Sequence, residues 1–260
     1  WELLRAAGWK PEREGVDGFY EEHQHLCPLI APGGGNVVVE LHRCLLYPSG
    51  PFKISEADVW AAASPVQTGG RTAWVPSPEH LALHLCIHFA WSHEMRFGLA
   101  RTVRDLSVLM PVVDWERFVR LAHETRAESC CYWPLRLALS LAAVSVPPAV
   151  LASLAPRSPR WLRGALERVV TTSALDPRQE FVPSIQLWRF AWTLAIRPGA
   201  SGHGSARPWG YRDDFGKYTH GVPRLPVWKR IRVQLAALPE WARFLSVAAG
   251  RARPLRSRSG

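Results

Sequence analysis

The sequence lacks the short motifs by which several large enzyme classes are recognised. It contains no Gly-rich phosphate loop of the P-loop or dinucleotide-binding type, and no Gly-x-Ser-x-Gly nucleophile elbow. Its three consecutive glycines, residues 33–35, lie between two predicted strands, where they favour a hairpin turn over a phosphate cradle. These absences argue against P-loop NTPases, dinucleotide-dependent dehydrogenases and serine α/β-hydrolases.

Cysteines and long apolar runs are also scarce. The five cysteines are odd in number and form no Cys-x-x-Cys pair, so the sequence predicts neither a disulfide framework nor a zinc ribbon. Reduced thiols are typical of a cytoplasmic protein, and we expect that location. The longest apolar region, 135–154, is interrupted by Pro147 and Pro148, and a membrane helix needs about 20 uninterrupted apolar residues. We therefore expect no transmembrane segment.

The net charge of +10 is concentrated at the end of the chain. Residues 207–260 contain twelve Lys/Arg and three Asp/Glu, so the rest of the chain is nearly neutral. The basic segment is either a solvated surface or a weak contact for an acidic partner or a membrane surface. It follows a Gly/Pro/Ser-rich linker at 197–210, and residues 251–260 are predicted to be a disordered tail.

The first 50 residues predict a short helix followed by a β-hairpin. The segments "HQHLCPLI" and "VVVELHRCLL" flank the turn-forming "APGGGN". Side chains of a strand alternate between its two faces, so Glu40 and His42 share one face with Val38, while Val37, Val39 and Leu41 share the other. The sequence thus places a carboxylate beside an imidazole, on a face that need not be buried.

From residue 55 the pattern predicts helices almost throughout. Ser55, Ser77 and Asp114 are predicted N-caps, and Pro78 suits a first helical position. The other predicted helices lie near 97–110, 132–145, 159–172, 184–195 and 226–248, the last with a break at Pro239.

The helix that follows Ser77 carries a stripe of histidines. His80, His84 and His88 are four residues apart and lie on one face, and His93 follows shortly after. Two histidines at this spacing can ligate zinc, but the glutamate of the metalloprotease motif is absent. A structural or pocket-lining role and a zinc hydrolase both remain open.

The next predicted helix carries Asp105, for which the sequence allows two alternative partners. Asp105 can pair with Arg101 along its own helix, or it can face a neighbouring helix and hold His88 or His93.

The order of these segments resembles that of a known family. It is carried by "LLRAAGWKP", "HQHLCPL", "VVVELHRCLL", "SPEHLALHLCIHFAWSHEMRFGLARTVRDLSVLM", "DWERFVRLA" and "LALSLAAVSVP". This arrangement, over roughly residues 1–150, resembles the uncharacterised bacterial nucleotidyltransferases of the DNA polymerase β-like superfamily. In that family a strand of the form "hELHW" precedes a helical region.

The resemblance implies a two-metal reaction. Such folds bind Mg²⁺ with two carboxylates of an Asp-x-Asp on one strand and a third carboxylate on a neighbouring strand, and they transfer a nucleotide from a nucleoside triphosphate to an acceptor. By position Glu40 matches the third carboxylate, as catalytic residue and metal ligand, and His42 is its neighbour. His84, His88, His93 and Asp105 are expected to be pocket or structural residues.

The family's Asp-x-Asp and the turn before it are absent upstream of Glu40. The chain begins at Trp1, and its only methionines are Met95 and Met110. We expect that it starts inside the catalytic domain and is inactive by itself; the alternative is a degenerate family member.

The expected fold class is α+β: the C-terminal part of a nucleotidyltransferase-like mixed sheet, followed by a mainly α-helical domain. The expected domains are 1–65 for the catalytic remainder, 66–196 for the helical domain, and 197–260 for the linker and basic segment. The alternative function is a non-catalytic helical binding module, whose basic end, with Trp228, Trp241 and Phe244, contacts an acidic partner or a membrane surface.

Overall fold

The structure is a computed structural model with a mixed α+β fold, as the sequence predicts. It describes residues 1–13, 20, 24–33, 37–46, 51–52, 54–142, 144–175, 188, 191–192, 194–196 and 238–250. The chain forms two compact units. The first comprises residues 1–84 and 113–126, and the second comprises residues 85–112 together with the described residues from 127 onward. The three predicted domains stay a prediction.

The first unit contains two small antiparallel sheets. In the first sheet the strand order is β1-β2-β3, and the second sheet is a two-stranded hairpin. The strands are β1 Lys10–Pro11, β2 Leu29–Ile30, β3 Val38–Val39, β4 Ser64–Thr68 and β5 Arg71–Val75.

The predicted hairpin around residues 33–35 is confirmed. Leu29 of β2 pairs with Val39 of β3, and the Leu26 N–H donates to the Leu41 carbonyl at 2.8 Å beyond the named strands. An isolated bridge then joins His25 to His42. His25 and Leu29 are four positions apart, but their partners His42 and Val39 are three positions apart. The segment that precedes β2 therefore carries one extra residue, as in a β-bulge. The extra residue brings His25 opposite His42.

The prediction of helices almost throughout from residue 55 is wrong for residues 64–75. These residues form the β4–β5 hairpin, with Thr68 paired to Arg71. Gly69 and Gly70 have φ of 56° and 72°, and two consecutive positive φ angles are the requirement of a type I′ turn. A Gly-Gly pair between two β-favouring runs is a hairpin signal.

The three predicted helix caps of the sequence are confirmed. The Ser55 hydroxyl accepts from the Asp58 N–H at 3.2 Å, and the Asp114 carboxylate accepts from the Glu116 and Arg117 N–H groups at 3.0 and 3.1 Å. The Ser77 hydroxyl accepts from the His80 N–H at 3.4 Å, and Pro78 is the first helical residue. These helices, with the N-terminal one, are α1 Glu2–Ala6, α2 Glu56–Ala61, α3 Pro78–Ile87 and α5 Trp115–Glu124.

The second unit is helical in its described residues. Its helices are α4 Leu99–Leu109, α6 Glu128–Leu141, α7 Pro148–Leu154, α8 Arg160–Leu175 and α9 Leu238–Ala248, with a π-turn at His88–Ser92 and a 3₁₀ turn at Met110–Val112. Residues 188, 191, 192, 194 and 195 are also helical. The helices predicted near 97, 132 and 159 are present with shifted ends, whereas α7 was missed.

The last predicted helix, 226–248, is only partly covered by the described residues. Residues 238–248 are helical, and the predicted break at Pro239 stays a prediction because residues 226–237 lie outside the described part. The predicted linker at 197–210 and the tail at 251–260 lie outside the described residues. Among the helices that the structure describes, none has the length and apolar character needed to span a bilayer.

A buried carboxylate joins α3 to α5 inside the first unit. Glu79 is 4% exposed, and its Oε1 accepts from the Asp114 N–H at 3.0 Å. Its Oε2 lies 3.7 Å from the Arg117 guanidinium. Glu79, in the first turn of α3, thus contacts both Asp114, the cap residue of α5, and Arg117 in the first turn of α5.

We expect Glu79→Ala to lower the free energy of unfolding by about 1–3 kcal/mol, because the Asp114 N–H loses a hydrogen bond to a buried, charged acceptor. Glu116→Ala is the matched control, since Glu116 is exposed and its contact with Arg120 is a 3.9 Å surface pair. Urea denaturation of both variants measures the difference. Equal effects would show that the Glu79 contacts contribute no more than a surface ion pair.

Candidate functional site

The open face of the first sheet carries the candidate site. Glu40 and His42 are exposed, whereas Val39 and Leu41 are partly buried, as the predicted alternation of side chains requires. Val37, predicted to share the face of Val39, is 56% exposed, so exposure alternates over residues 38–42 only. Val38 is 48% exposed on the same face as Glu40. The carboxylate and the imidazole therefore meet solvent side by side.

A second carboxylate, Glu12, lies on the same face. Lys10 and Val38 both pair with Ile30, so they form one row across the sheet. Glu12 and Glu40 each follow two residues later on outer strands that run in the same direction, and the Glu12 N–H donates to the Pro28 carbonyl at 2.8 Å. Two strand spacings of about 5 Å separate their backbones, a gap that two glutamate side chains can span between them.

Sequence reasoning missed Glu12. The signal that identifies it is the pairing of β1 with β2, and β1 is too short to show any alternation of its own.

Four rings form a continuous row beside Glu40, which we call the His42 cluster: Tyr20, His25, His42 and His84. Successive ring centroids are 5.5, 5.6 and 6.4 Å apart. The bridge between His25 and His42 sets the middle contact, and α3 supplies His84. The structure therefore brings His42 and His84, two of the predicted site residues, together.

Electrostatics connect Glu40 to the start of this row. Burial raises the pKa of the Tyr20 phenol, and its electrostatic interactions with Cys27, Glu12 and Glu40 raise it further, against Arg13, which lowers it. Tyr20 therefore keeps its proton at neutral pH and remains a hydrogen-bond donor.

The inner end of the row is held neutral. Burial lowers the pKa of His84, and the neighbouring His42 lowers it further, while a hydrogen bond with the Leu45 backbone acts in the opposite direction. His84 therefore adds no positive charge beside the exposed His42.

This arrangement predicts a stability that falls in mild acid. His84 releases its proton at a lower pH when folded than when unfolded, so between those two pKa values the unfolded chain binds more protons. The free energy of unfolding should therefore fall as pH drops through about 6.5. Urea denaturation at pH 7.5 and 5.5 should show a smaller pH effect in His84→Gln than in the wild type. His123→Gln, at an exposed position, should leave the pH effect unchanged; an unchanged effect in His84→Gln would contradict the assignment.

The predicted histidine stripe does not converge on one point. The His80 Nδ1 lies 3.0 Å from the Ser77 hydroxyl, His84 contacts His42, and the Nε2 atoms of His88 and His93 are 3.0 Å apart. His80 is buried at the start of α3, where burial and Arg117 lower its pKa against Glu79 and Asp58. His80 therefore supports the helix cap.

The described residues contain no group of three or more His, Cys, Asp or Glu side chains placed to hold a metal ion. The zinc hydrolase alternative therefore has no ligand set in that part of the chain.

Asp105 is half-buried on α4. Of the two predicted partners, Arg101 forms no ion pair with it in the described part of the chain. The rings of His88 and His93, the other predicted partners, lie within hydrogen-bond distance of each other. The role of Asp105 stays a prediction.

Comparison with known proteins identifies the family. The model of a family described as uncharacterised nucleotidyltransferase matches residues 2–143, more than half of the chain, and this region includes Glu12, Glu40 and the His42 cluster. No curated protein and no solved structure matches the chain. The chain therefore belongs to this family of uncharacterised nucleotidyltransferases.

Proposed function

We propose that the protein transfers a nucleotide from a nucleoside triphosphate to an acceptor in a Mg²⁺-dependent reaction, and that the open face of the first sheet is the reacting surface. The observation that carries this proposal is the pair of exposed carboxylates, Glu12 and Glu40, on one face beside His42, within the region that matches the family.

The residues on this face fit one Mg²⁺ ion shared with a substrate. Mg²⁺ prefers oxygen ligands and is commonly held by one or two carboxylates, several waters and the phosphates of the substrate. Glu12 and Glu40 supply two carboxylates, and the described residues bring no third acidic group to them. When bound, the cation would neutralise charge on the triphosphate and lower the pKa of a hydroxyl.

The side chains of the His42 cluster support a proton transfer. His42 is exposed beside Glu40 and can accept the proton of the acceptor hydroxyl as a general base. Because His84 stays neutral, a proton on His42 meets no like charge from that side. The protonated Tyr20 phenol is a donor for an anionic oxygen of the substrate.

Under this proposal residues 1–65 carry the reacting groups, and residues 66–196 form the helical domain. This proposal does not specify the acceptor or the nucleobase of the triphosphate. A cytoplasmic location remains a prediction.

Histidine-edited NMR tests the proposed surface by binding alone. The protein is titrated with ATP, GTP, CTP or UTP in the presence of Mg²⁺, and the ring signals of each histidine are followed. We expect one triphosphate to shift the signals of His25 and His42 while those of His88 and His93 stay in place. Titrations in which no triphosphate perturbs the His42 cluster would contradict the proposal.

In the part of the basic C-terminal segment that the structure describes, no observation favours the alternative of a membrane-binding end. In α9 the side chains of Phe244 and Val247 are buried, and the Ala248 carbonyl accepts from Arg168 of α8 at 2.9 Å. Phe244, predicted to face a lipid or partner surface, packs inside the second unit instead. Trp228 lies outside the described residues.

A further inference from the structure

A strained turn at residues 88–95 holds two imidazole rings edge to edge. Residues His88–Ser92 form a π-turn, in which the His93 N–H donates to the His88 carbonyl at 3.0 Å. Glu94 and Met95 follow with φ of 50° and 55°, a left-handed conformation that is costly for residues other than glycine. Such strain persists only where surrounding contacts enforce it, and it concentrates at functional sites.

Two tryptophans enforce this turn. The indole N–H of Trp188 donates to the Glu94 carbonyl at 2.6 Å, and that of Trp192 donates to the Ala90 carbonyl at 2.6 Å. The Trp192 ring also packs on Trp91 with centroids 5.0 Å apart. Trp188 and Trp192, which lie about 100 positions later in the chain, therefore fix the backbone on both sides of His93.

The result is a fixed pair of nitrogen ligands. The Nε2 atoms of His88 and His93 are 3.0 Å apart, their rings are nearly perpendicular at 82°, and both residues are half-buried. Two histidine nitrogens that bind one tetrahedral zinc ion at 2.0–2.1 Å lie about 3.3 Å apart. The pair would need to open by a few tenths of an ångström to take the ion.

We infer that His88 and His93 form a binding site for a divalent transition metal of the zinc class, which uses the two Nε2 atoms and leaves the remaining coordination positions to solvent or to a second ligand. Imidazole nitrogen suits zinc, copper and nickel and is a poor ligand for Mg²⁺. The site is thus separate from the proposed Mg²⁺ surface in ligands and in chemistry.

The protons balance when the metal binds. In the metal-free pair one Nε2–H donates to the Nε2 of the other ring. Each Nε2 must present its lone pair to the metal, so the donor ring gives up its Nε2 proton and takes one on Nδ1 instead. Two neutral rings therefore bind zinc with no net change in their protons.

Zinc titration of the full chain tests the site. At pH 7.5 isothermal titration calorimetry should show saturable binding of one zinc ion at this site. His88→Gln and His93→Gln should each remove that binding, while His123→Gln, at an exposed position outside the turn, should retain it. Zinc binding that is unaffected by His88→Gln and His93→Gln would overturn the inference, as would a wild-type protein that binds no zinc saturably.

NMR of the wild type gives a second test that does not depend on how the variants fold. The ¹⁵N shifts of both rings should report the Nδ1–H tautomer when zinc is saturating, whereas at least one ring should carry its proton on Nε2 without zinc. If the ¹⁵N shifts of the His88 and His93 rings did not change at saturating zinc, the inference would be overturned.

Discussion

Replacing Glu40 by glutamine is expected to slow nucleotide transfer by about 100-fold or more. A carboxylate that ligates the triphosphate-bound metal stabilises the transition state by several kcal/mol. Glutamine keeps the size of the side chain and removes its charge. Since Glu40 is exposed, the substitution should leave the melting temperature nearly unchanged. The assay uses the protein as its gene encodes it and measures label transferred from an α-³²P nucleoside triphosphate.

The matched control is Glu124→Gln, which removes an exposed carboxylate at the end of α5 in the same unit. It should retain full activity. Glu12→Gln should reduce the rate as Glu40→Gln does, because both carboxylates are assigned to one site. If Glu40→Gln were as active as the Glu124→Gln control, the assignment of the reaction to the open face of the first sheet would be contradicted.

Truncation of Trp133 to alanine is expected to give the largest loss of stability, about 3–5 kcal/mol. Trp133 lies on α6, is fully buried, and donates its indole N–H to the Ala195 carbonyl at 3.0 Å. Removing the ring leaves a cavity in the second unit and a buried carbonyl without its donor. Urea denaturation followed by circular dichroism measures the loss.

Two further variants separate the causes. Trp133→Phe keeps most of the apolar volume but loses the N–H donor, so we expect a smaller loss of about 1–3 kcal/mol. Trp161→Ala removes a tryptophan that is 73% exposed and should change stability by less than about 0.5 kcal/mol. Comparable losses for Trp133→Ala and Trp161→Ala would contradict the packing described for the second unit.

The features that the sequence predicted well depend on local chemistry. The caps at Ser55, Ser77 and Asp114 follow from side chains that accept a hydrogen bond within their own first turn. The faces of Glu40 and His42 follow from strand alternation alone. No distant residue is needed for either inference.

The features that were missed depend on pairing between segments. The face that Glu12 shares with Glu40 requires β1 to pair with β2, and the contact of His25 with His42 requires a one-residue bulge. The contact between His88 and His93 needs a π-turn, because an ordinary helix places residues five apart on different faces. Tryptophans far along the chain hold that turn, and helical periodicity carries no sign of them.

The most direct test of the central claim is the fate of the two ends of the triphosphate. The protein as its gene encodes it is incubated with Mg²⁺, a pool of acceptors and a triphosphate labelled at either the α- or the γ-phosphate. The account predicts that α-label becomes attached to an acceptor while γ-label is released as pyrophosphate. Transfer of γ-label to the acceptor, or no transfer of either label with any of the four triphosphates, would contradict it.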